Sequence, residues 1–357
     1  MALTEWIEEP ARFNDVGAAW DRLAESDPTP FSRHAWYSSW WDAFGDGRRL
    51  AICVLWDGDE LRAAFPLCRE GRRLEAIAND HTPLFRPLAR DQESLEALVQ
   101  EVIAAAGDEL AVPGVPADDP AVTALIAGSR AAGRLTLVEA QHTSPIIEIG
   151  DDFAEYRRLM KSKLNPIERK ARKLGREYEP LFNLLSPPPD FERELERGFE
   201  VEASGWKGKK GTAVISSDDT NRFYRSVARA FHARGELAMS SISLDGRPIA
   251  FSLGLLDRRR LYLLKTGYDE SFGAVAPGMV LRLAIIERCF ELGLDAHELL
   301  GDATPWKLRF STAAREHRGV YSYRRRPRGI AAYAYRRWAK PRLKAARDAA
   351  RRRFSRS

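Results

Sequence analysis

Two stretches of the chain repeat the same pattern of short strands and tight turns. Residues 50–77 carry Asp57-Gly58 between two apolar runs, and residues 237–268 carry Asp245-Gly246 in the corresponding place. An Asp-Gly pair between apolar runs is typical of a β-hairpin, because glycine adopts the positive φ of the turn at little cost. Each stretch therefore predicts a three-stranded meander.

Helices flank both meanders. They are predicted at residues 32–44, 91–106, 219–234 and 277–292. A helix–meander–helix unit that occurs twice predicts an α/β (α+β) chain with two similar mixed sheets flanked by helices. The join is predicted near Ile149, so the expected domains are residues 1–149 and 150–325.

Basic residues are concentrated at the C-terminal end of the chain. Residues 324–357 hold 14 Lys and Arg and one acid, whereas the preceding residues hold 42 basic and 50 acidic side chains. We therefore treat residues 326–357 as a basic helical tail. Aromatic side chains such as Tyr335 and Trp338 favour peripheral contact with an anionic membrane, while a solvated tail is an equal alternative. Nucleic acid is a weaker alternative, because the rest of the chain lacks a base-reading motif.

Several classes of protein are disfavoured by motifs that the sequence lacks. Cys53, Cys68 and Cys289 are widely spaced, and the six histidines have no metal-ligand spacing, so we expect neither disulfides nor a metal. The cysteine pattern favours a reducing cytoplasm, and the N-terminal residues do not form a secretory signal. Gly-x-Ser-x-Gly, HExxH, phosphate-loop and GxGxxG motifs are missing, which favours a metal-free, non-hydrolytic enzyme.

The segment after the second meander predicts an anion site. A loop follows the strand that ends near Thr266, and Pro277-Gly278 then begins a helix. We expect the N–H groups of Gly278, Met279 and Val280 to be free at this helix terminus, where the helix dipole also favours a phosphate. An ordinary helix start is the alternative reading.

Three further segments are candidates for chemistry. The first is a Lys/Gly-rich loop after Gly205 that contains Trp206 and Lys207. The second contains Asp302, which precedes a helix that we expect to begin at Pro305 and to be capped by Thr304. The third segment is a basic helix over residues 161–176 that we expect to be capped by Asn165, with Pro166 in its first turn. Each segment also has a purely structural interpretation. The loop after Gly205 is then a mobile surface loop, Asp302 stabilises a turn, and the basic helix presents a solvated charged face.

These residues together resemble the GNAT superfamily of acetyltransferases. The likeness rests on EASGWKGKKGT at residues 202–212, DGRPIAF at 245–251, LYLLKTGYD at 261–269, Pro277-Gly278, and Gly301 to Lys307. The nearest branch looks like the CelD-type, BioF2-like domain associated with bacterial polysaccharide and cellulose biosynthesis, which is related to the Fem-type aminoacyl transferases. Since both are tandem GNAT folds, the resemblance implies a degenerate N-terminal GNAT-like domain followed by a GNAT acyltransferase domain.

The resemblance implies acyl transfer from acetyl-CoA or another acyl-CoA to the amine or hydroxyl of a small-molecule or saccharide acceptor. The positions that it assigns to the cofactor are Lys265, Thr266, Gly267, Ala276, Gly278, Met279 and Val280. Backbone N–H groups beside Lys265 and Thr266 would polarise the thioester carbonyl.

Direct acyl transfer also needs a base for the acceptor and an acid for the departing thiolate. Asp302 or Glu202 is the candidate base, and Tyr268 is the candidate acid or positioning phenol. Trp206, Lys207, Trp306 and Lys307 are expected to contact the acceptor or an anionic group of the cofactor.

Two other functions remain open at this point. A Fem-type transferase would take its acyl group from aminoacyl-tRNA, for which the basic helix and the basic tail provide charge. A non-catalytic scaffold of envelope-polysaccharide assembly would use only the tail and the fold.

Overall fold

The computed structural model describes residues 3–343, except for the side chains of Trp206 and Lys207. The part of the predicted tail from residue 344 onward lies outside the described residues. The strands are β1 (Leu3–Ile7), β2 (Arg49–Leu50), β3 (Ile52–Asp57), β4 (Glu60–Phe65), β5 (Leu67–Glu70), β6 (Arg73–Ala76), β7 (Leu88–Ala89), β8 (Glu109–Pro116), β9 (Leu135–Glu148), β10 (Leu181–Asn183), β11 (Leu237–Leu244), β12 (Arg247–Asp257), β13 (Arg260–Tyr268), β14 (Ala296–Glu298) and β15 (Ala313–Tyr323).

The helices are α1 (Pro10–Asp15), α2 (Gly17–Ala24), α3 (His34–Phe44), α4 (Gln92–Ala105), α5 (Pro120–Ala131), α6 (Phe153–Leu159), α7 (Lys161–Glu177), α8 (Phe191–Ser204), α9 (Trp206–Lys209), α10 (Asp218–Ala233), α11 (Pro277–Glu291) and α12 (Pro327–Ala334). The four helices predicted from sequence correspond to α3, α4, α10 and α11. Side chains cap two of them: Asp91 accepts from the Ser94 N–H before α4, and Ser217 accepts from the Thr220 N–H before α10. No helix within residues 3–343 combines the length and apolar character that a bilayer span requires.

The strands form two sheets of unequal size. One has the order β1-β3-β4-β7, and the other has eleven strands in the order β10-β11-β12-β13-β14-β9-β15-β8-β6-β5-β2. The prediction of an α/β chain with two sheets and flanking helices is confirmed. The first meander is divided between the two sheets, because Pro66 has no N–H and ends β4 before β5 begins.

The long sheet joins the two halves of the sequence. β15, near the C-terminal end, pairs with β9 on one side and with β8 on the other. The predicted domain boundary falls between β9 and α6, but strands from both sides of it alternate in this sheet. The boundaries themselves therefore stay a prediction.

The sheet separates two hydrophobic cores. We call the side covered by α8 and α10 the α10 face, where Phe251, Leu253 and Tyr262 share one core with the first half of the chain. The opposite side, covered by α7 and α11, is the α11 face, where Leu261 and Leu263 belong to a second core.

The first half of the chain is anchored on the α10 face by aromatic residues. The Phe31 ring lies edge-on to Tyr262 with centroids 5.4 Å apart, and the Trp36 ring lies edge-on to Phe223 at 5.1 Å. Arg33, which is only 4% exposed, pairs with Asp257 at 3.3 Å. The segment around Phe31 therefore fixes the first half against the hairpin of β12 and β13.

Candidate functional site

β13 and β14 lie side by side for only three residue pairs. Their parallel pairing begins at Arg260 and Ala296 and, within the described chain, ends at Tyr262 and Glu298. Beyond that point β13 continues on β12 alone, while the chain after β14 follows β9 and then turns at Leu300 and Gly301, both with positive φ. We call the resulting space between β13 and residues 299–302 the strand gap.

β13 contains a bulge at the edge of the strand gap. Leu253 of β12 pairs with Lys265, whereas Gly254 pairs with Leu263, so Leu264 is an extra residue. A bulge bends a strand and changes the direction of the side chains that follow. Lys265 accordingly lies on the α10 face, where its Nζ is 4.6 Å from the centre of the Tyr224 ring.

Three polar side chains gather on the α10 face beside Lys265. Glu202 is 2% exposed, and its Oε2 accepts a hydrogen bond of 3.0 Å from the Val214 N–H. His81, which comes from the first half of the chain, lies with Nδ1 3.3 Å from the Tyr224 hydroxyl. We call His81, Glu202, Tyr224 and Lys265 the polar cluster.

Burial and neighbouring charges set the ionisation of the polar cluster. Burial, reinforced by the positive charge of Lys265, lowers the pKa of His81 to about 4, so its imidazole is neutral at pH 7. Burial, together with the negative charge of Glu202, raises the pKa of Tyr224. The cluster thus combines a neutral imidazole with a phenol that keeps its proton.

Glu202 is brought to this position by close contact between α8 and β13. A methyl group on Gly267 would lie 2.5 Å from the Glu202 Cα atom, which leaves no room for any side chain at residue 267. Gly267 therefore allows α8 to rest directly on the strand. Thr266, the preceding residue, donates its hydroxyl to the Phe251 carbonyl.

The N-terminus of α11 adjoins the same strand on the opposite face. Of the three N–H groups that we expected to be free, those of Met279 and Val280 both donate to the Ala276 carbonyl, so that expectation is wrong for them. Ala276 has a left-handed backbone (φ 49°), which turns its carbonyl toward the first helical turn. Gly278 is the one of the three whose N–H has no partner among the described residues.

Tyr268 covers the start of α11. A methyl group on Gly278 would lie 3.0 Å from Tyr268 Cδ1, so the ring packs against the backbone of the helix. Tyr268 itself is 37% exposed, so that its side chain is partly open to solvent. A ligand phosphate at Gly278 would therefore lie beside a phenol.

The basic helix α7 reaches the loop before α11. Lys170 Nζ donates to the Ala274 carbonyl at 2.7 Å. The prediction that Asn165 caps this helix is wrong, since α7 begins at Lys161 and Pro166 is its sixth residue. Leu164 and Ile167 are buried in the α11-face core, and this packing holds the first turn despite the missing proline N–H.

Asp302, Trp306 and Lys307 lie together on the other side of the strand gap. Lys307 Nζ donates to the Leu300 carbonyl and lies 5.7 Å from the centre of the Trp306 ring. Asp302 is exposed, and its carbonyl accepts from the Thr304 N–H. The predicted α-helix after Pro305 is wrong: only a short 3₁₀ turn forms, because the buried Phe310 and the start of β15 follow within a few residues.

Trp206 and Lys207 fall in α9 rather than in the loop that we predicted. This single helical turn follows α8 directly after Gly205. The side chains of both residues lie outside the described part of the structure. Their proposed contacts with the acceptor therefore stay a prediction.

A buried cation beneath the strand gap was not predicted. Arg282 of α11 is 2% exposed and donates to His297 Nε2 at 2.8 Å and to the Ser252 hydroxyl at 3.0 Å. Burial lowers the pKa of Arg282 to about 10, and burial together with Arg282 lowers the pKa of His297 to about 3. A single arginine inside the apolar run of α11 was the available signal in the sequence.

The predicted residues thus form three groups around one gap. Glu202, Lys265 and Gly267 lie on the α10 face, Tyr268 and Gly278 lie at the start of α11, and the third group follows β14. Sequence reasoning missed His81 and Tyr224, because they come from elements far away in the chain. The arrangement offers an opening between strands, an acid–base cluster on one side, and a helix N-terminus with nearby lysines on the other.

Among residues 3–343, no group of three or more His, Cys, Asp or Glu side chains is placed to hold a metal ion.

Comparison with known proteins gives a family match for part of the chain. Residues 161–308 match the family described as an acetyltransferase (GNAT) domain. This match supports a GNAT acetyltransferase domain in the second half of the chain, and the CelD-type, BioF2-like subtype remains a prediction. No curated protein sequence matches the chain.

Solved structures resemble the whole chain in fold. The C-terminal domain (DUF2156) of an Agrobacterium fabrum protein assigned as a lysylphosphatidylglycerol synthetase aligns with a TM-score of 0.57 at 12% identity, over 92% of this chain and 97% of that one. FemX aligns with a TM-score of 0.55 at 10% identity, over 90% of this chain and 97% of that one. A conserved protein of unknown function from Bacteroides thetaiotaomicron VPI-5482 aligns with a TM-score of 0.52 at 12% identity, over 90% of this chain and 100% of that one. At such identities, the likeness concerns the fold alone.

Proposed function

We propose that this protein is an acyltransferase that moves an acetyl or other acyl group from acyl-CoA to an amine or hydroxyl. The observation that carries the proposal is the strand gap beside the N-terminus of α11. A thioester arm placed in the gap would reach backbone groups of β13 near its bulge at Leu264. The diphosphate at its other end would lie at Gly278, where the helix dipole favours negative charge.

Basic residues of α7 support the donor side of this proposal. Lys170 already contacts the loop that leads into α11, and the same helix also carries Arg169, Arg172, Lys173 and Arg176. Phosphate groups bound at a helix N-terminus gain from nearby cations. We therefore assign the phosphates of the acyl-CoA to the α11 face.

The acceptor is assigned to the opposite face. In the proposed reaction, Glu202 removes a proton from the acceptor nitrogen or oxygen, which then attacks the thioester carbonyl. The tetrahedral intermediate collapses as its carbon–sulfur bond breaks, and Tyr268 on the donor side protonates the departing thiolate. Asp302 remains the competing base, because it follows β14 on the far side of the strand gap.

Calorimetric titration with acetyl-CoA tests the donor. Binding is expected, and no detectable binding would contradict the proposal. Comparison of Glu202→Gln with Asp302→Asn then identifies the base, because the variant that lacks it is expected to lose about 10²-fold or more in turnover while binding acetyl-CoA as before. If both variants keep full turnover, neither carboxylate is the base.

A second candidate is a Fem-type transferase that uses aminoacyl-tRNA. The fold-level similarity to FemX and the basic charge of α7 favour it. Retention of tRNA at physiological salt, without acetyl-CoA binding, would support this candidate. Failure to bind either donor would favour the non-catalytic scaffold.

We also propose that the acceptor comes from envelope polysaccharide, as the CelD-type resemblance implies.

The tail is a further part of the proposal, because we expect it to make peripheral contact with the membrane. Ile330, Tyr335 and Trp338 are each about half exposed, and arginines surround them. Arg336 instead faces the protein, with its guanidinium 3.6 Å from the centre of the Tyr321 ring. The described part of the tail is thus anchored to the sheet through Arg336, while Tyr335 and Trp338 stay exposed and available to lipid.

A further inference from the structure

A cavity of about 310 Å³ lies on the α10 face where the two halves of the chain meet. Its base is formed by Arg260, Tyr262 and Arg315 of the long sheet, and residues of the first half, among them Thr29, Leu84 and Arg86, close it from above. Tyr262 also marks the last pair before β13 and β14 separate. The cavity therefore adjoins the strand gap on the side that we assign to the acceptor.

Two arginines at the base of the cavity share one buried carboxylate. Arg260 Nη1 donates to Glu298 Oε1 at 2.7 Å, while Arg315 donates to both oxygens of Glu298 at 2.8 and 2.9 Å. Glu298 is completely buried, whereas the side chains of Arg260 and Arg315 are 35% and 25% exposed. Two guanidinium groups on one carboxylate leave one net positive charge, and both arginines line the cavity.

The wall of the cavity opposite Arg260 and Arg315 carries acidic side chains. Arg86 is paired with Asp27 at 3.2 Å and with Asp119 at 2.8 Å, and two carboxylates on one guanidinium leave one net negative charge on this wall. Asp118, which also lines the cavity, is exposed. One end of the cavity is thus cationic and rich in hydrogen-bond donors, while the other end presents carboxylate oxygens.

We propose that this cavity binds the acceptor, and that the acceptor carries an oxyanion group. The carboxylate or phosphate of the acceptor binds Arg260 and Arg315, and its hydroxyl or amino groups face Asp118 and Asp119. Guanidinium groups bind both kinds of oxyanion through paired N–H donors. This inference deepens the proposed function, on which it rests, because it specifies the chemical class of the second substrate.

The test measures the binding of inorganic phosphate and of acetate by NMR titration, on the full chain saturated with CoA. Saturation with CoA occupies the donor site, so that the remaining binding reports the cavity. The test variant is Arg260→Gln, in which Glu298 keeps both bonds from Arg315. The matched control is Arg259→Gln, because Arg259 is the neighbouring residue and its exposed side chain pairs with Asp295 outside the cavity.

We expect the wild-type protein and Arg259→Gln to bind at least one of the two anions, and Arg260→Gln to bind it about tenfold more weakly. Tighter binding of phosphate or of acetate then indicates which oxyanion the acceptor carries. Arg315→Lys, which keeps the charge but loses the two-point contact, should also weaken binding and covers the case in which Arg260→Gln unfolds. Equal binding by all variants, or no binding by the wild-type protein, would overturn the inference.

The two proposals fail in different ways. If acetyl-CoA binds but anion binding does not depend on Arg260, the acyltransferase proposal stands and the cavity assignment is wrong. If acetyl-CoA does not bind, the same anion titration without CoA still measures the cavity. If anion binding then depends on Arg260, the cavity binds an oxyanion substrate of a reaction other than acyl transfer from acyl-CoA.

Discussion

Replacing Gly267 by alanine should separate α8 from β13 and weaken the fold at the polar cluster. The added methyl group would lie 2.5 Å from Glu202 Cα and 2.9 Å from Glu202 N, whereas ordinary contacts begin near 3.4 Å. α8 must therefore move by about 0.9 Å. The hydrogen bond of 3.0 Å from the Val214 N–H to Glu202 would then lengthen beyond useful range.

The expected loss of stability in Gly267→Ala is the sum of the overpacking and of the broken hydrogen bond. Overpacking of this kind costs about 1 to 3 kcal/mol, and loss of the Val214 bond adds about 1 kcal/mol. We therefore expect the free energy of unfolding to fall by about 2 to 4 kcal/mol in urea denaturation followed by circular dichroism. Hydrogen exchange at the Val214 amide should also become faster.

A matched control uses a glycine that has open space around it. A methyl group on Gly150 would meet no atom within 4 Å, so Gly150→Ala should leave the stability nearly unchanged. If Gly267→Ala stays within about 0.5 kcal/mol of the wild-type protein and the Val214 amide remains protected, the close contact between α8 and β13 does not determine the position of Glu202.

Four other measurements test the site and the tail. Glu202→Gln should lower the rate of acyl transfer by about 10²-fold without changing the affinity for acetyl-CoA in calorimetry, and an unchanged rate would remove Glu202 as the base. Lys170→Gln should raise the Kd for acetyl-CoA about threefold to tenfold at low salt, whereas Arg158→Gln, on the exposed surface of α6, should not. Stability should fall as the pH drops from about 6.5 to about 4, because burial keeps His81, His297 and His317 neutral in the folded state and the unfolded state binds their protons first. His81→Gln should reduce this dependence by the share of one histidine in urea titrations at each pH. Trp338→Ala should reduce co-sedimentation with vesicles containing anionic phosphatidylserine, and unaltered co-sedimentation would contradict membrane contact through this side chain.

Local features of the structure were predictable because their causes are local in sequence. The hairpin turns at Gly58 and Gly246 have positive φ, as the Asp-Gly pairs indicate. α11 begins at Pro277, where a missing N–H costs nothing. Such signals depend on one or two residues and their own backbone, so tertiary packing does not overrule them.

Other features depend on partners that the sequence does not specify. α7 extends four residues ahead of Asn165, because burial of Leu164 outweighs the local preference for a helix start at Pro166. His81 joins the polar cluster only because the first half of the chain folds over α10. Nothing in the residues around His81 indicates that contact.

The position of β15 has a consequence for the synthesis of this protein. β8 and β9 leave the ribosome long before the strand that must insert between them, since β15 begins 197 residues after the end of β8 and 165 residues after the end of β9. Until β15 has been synthesised, both strands present unsatisfied backbone edges, which are the surfaces through which nascent chains associate wrongly. The first half is therefore expected to depend on chaperone protection during translation, and a ribosome that stalls before residue 313 would release a chain unable to complete its sheet.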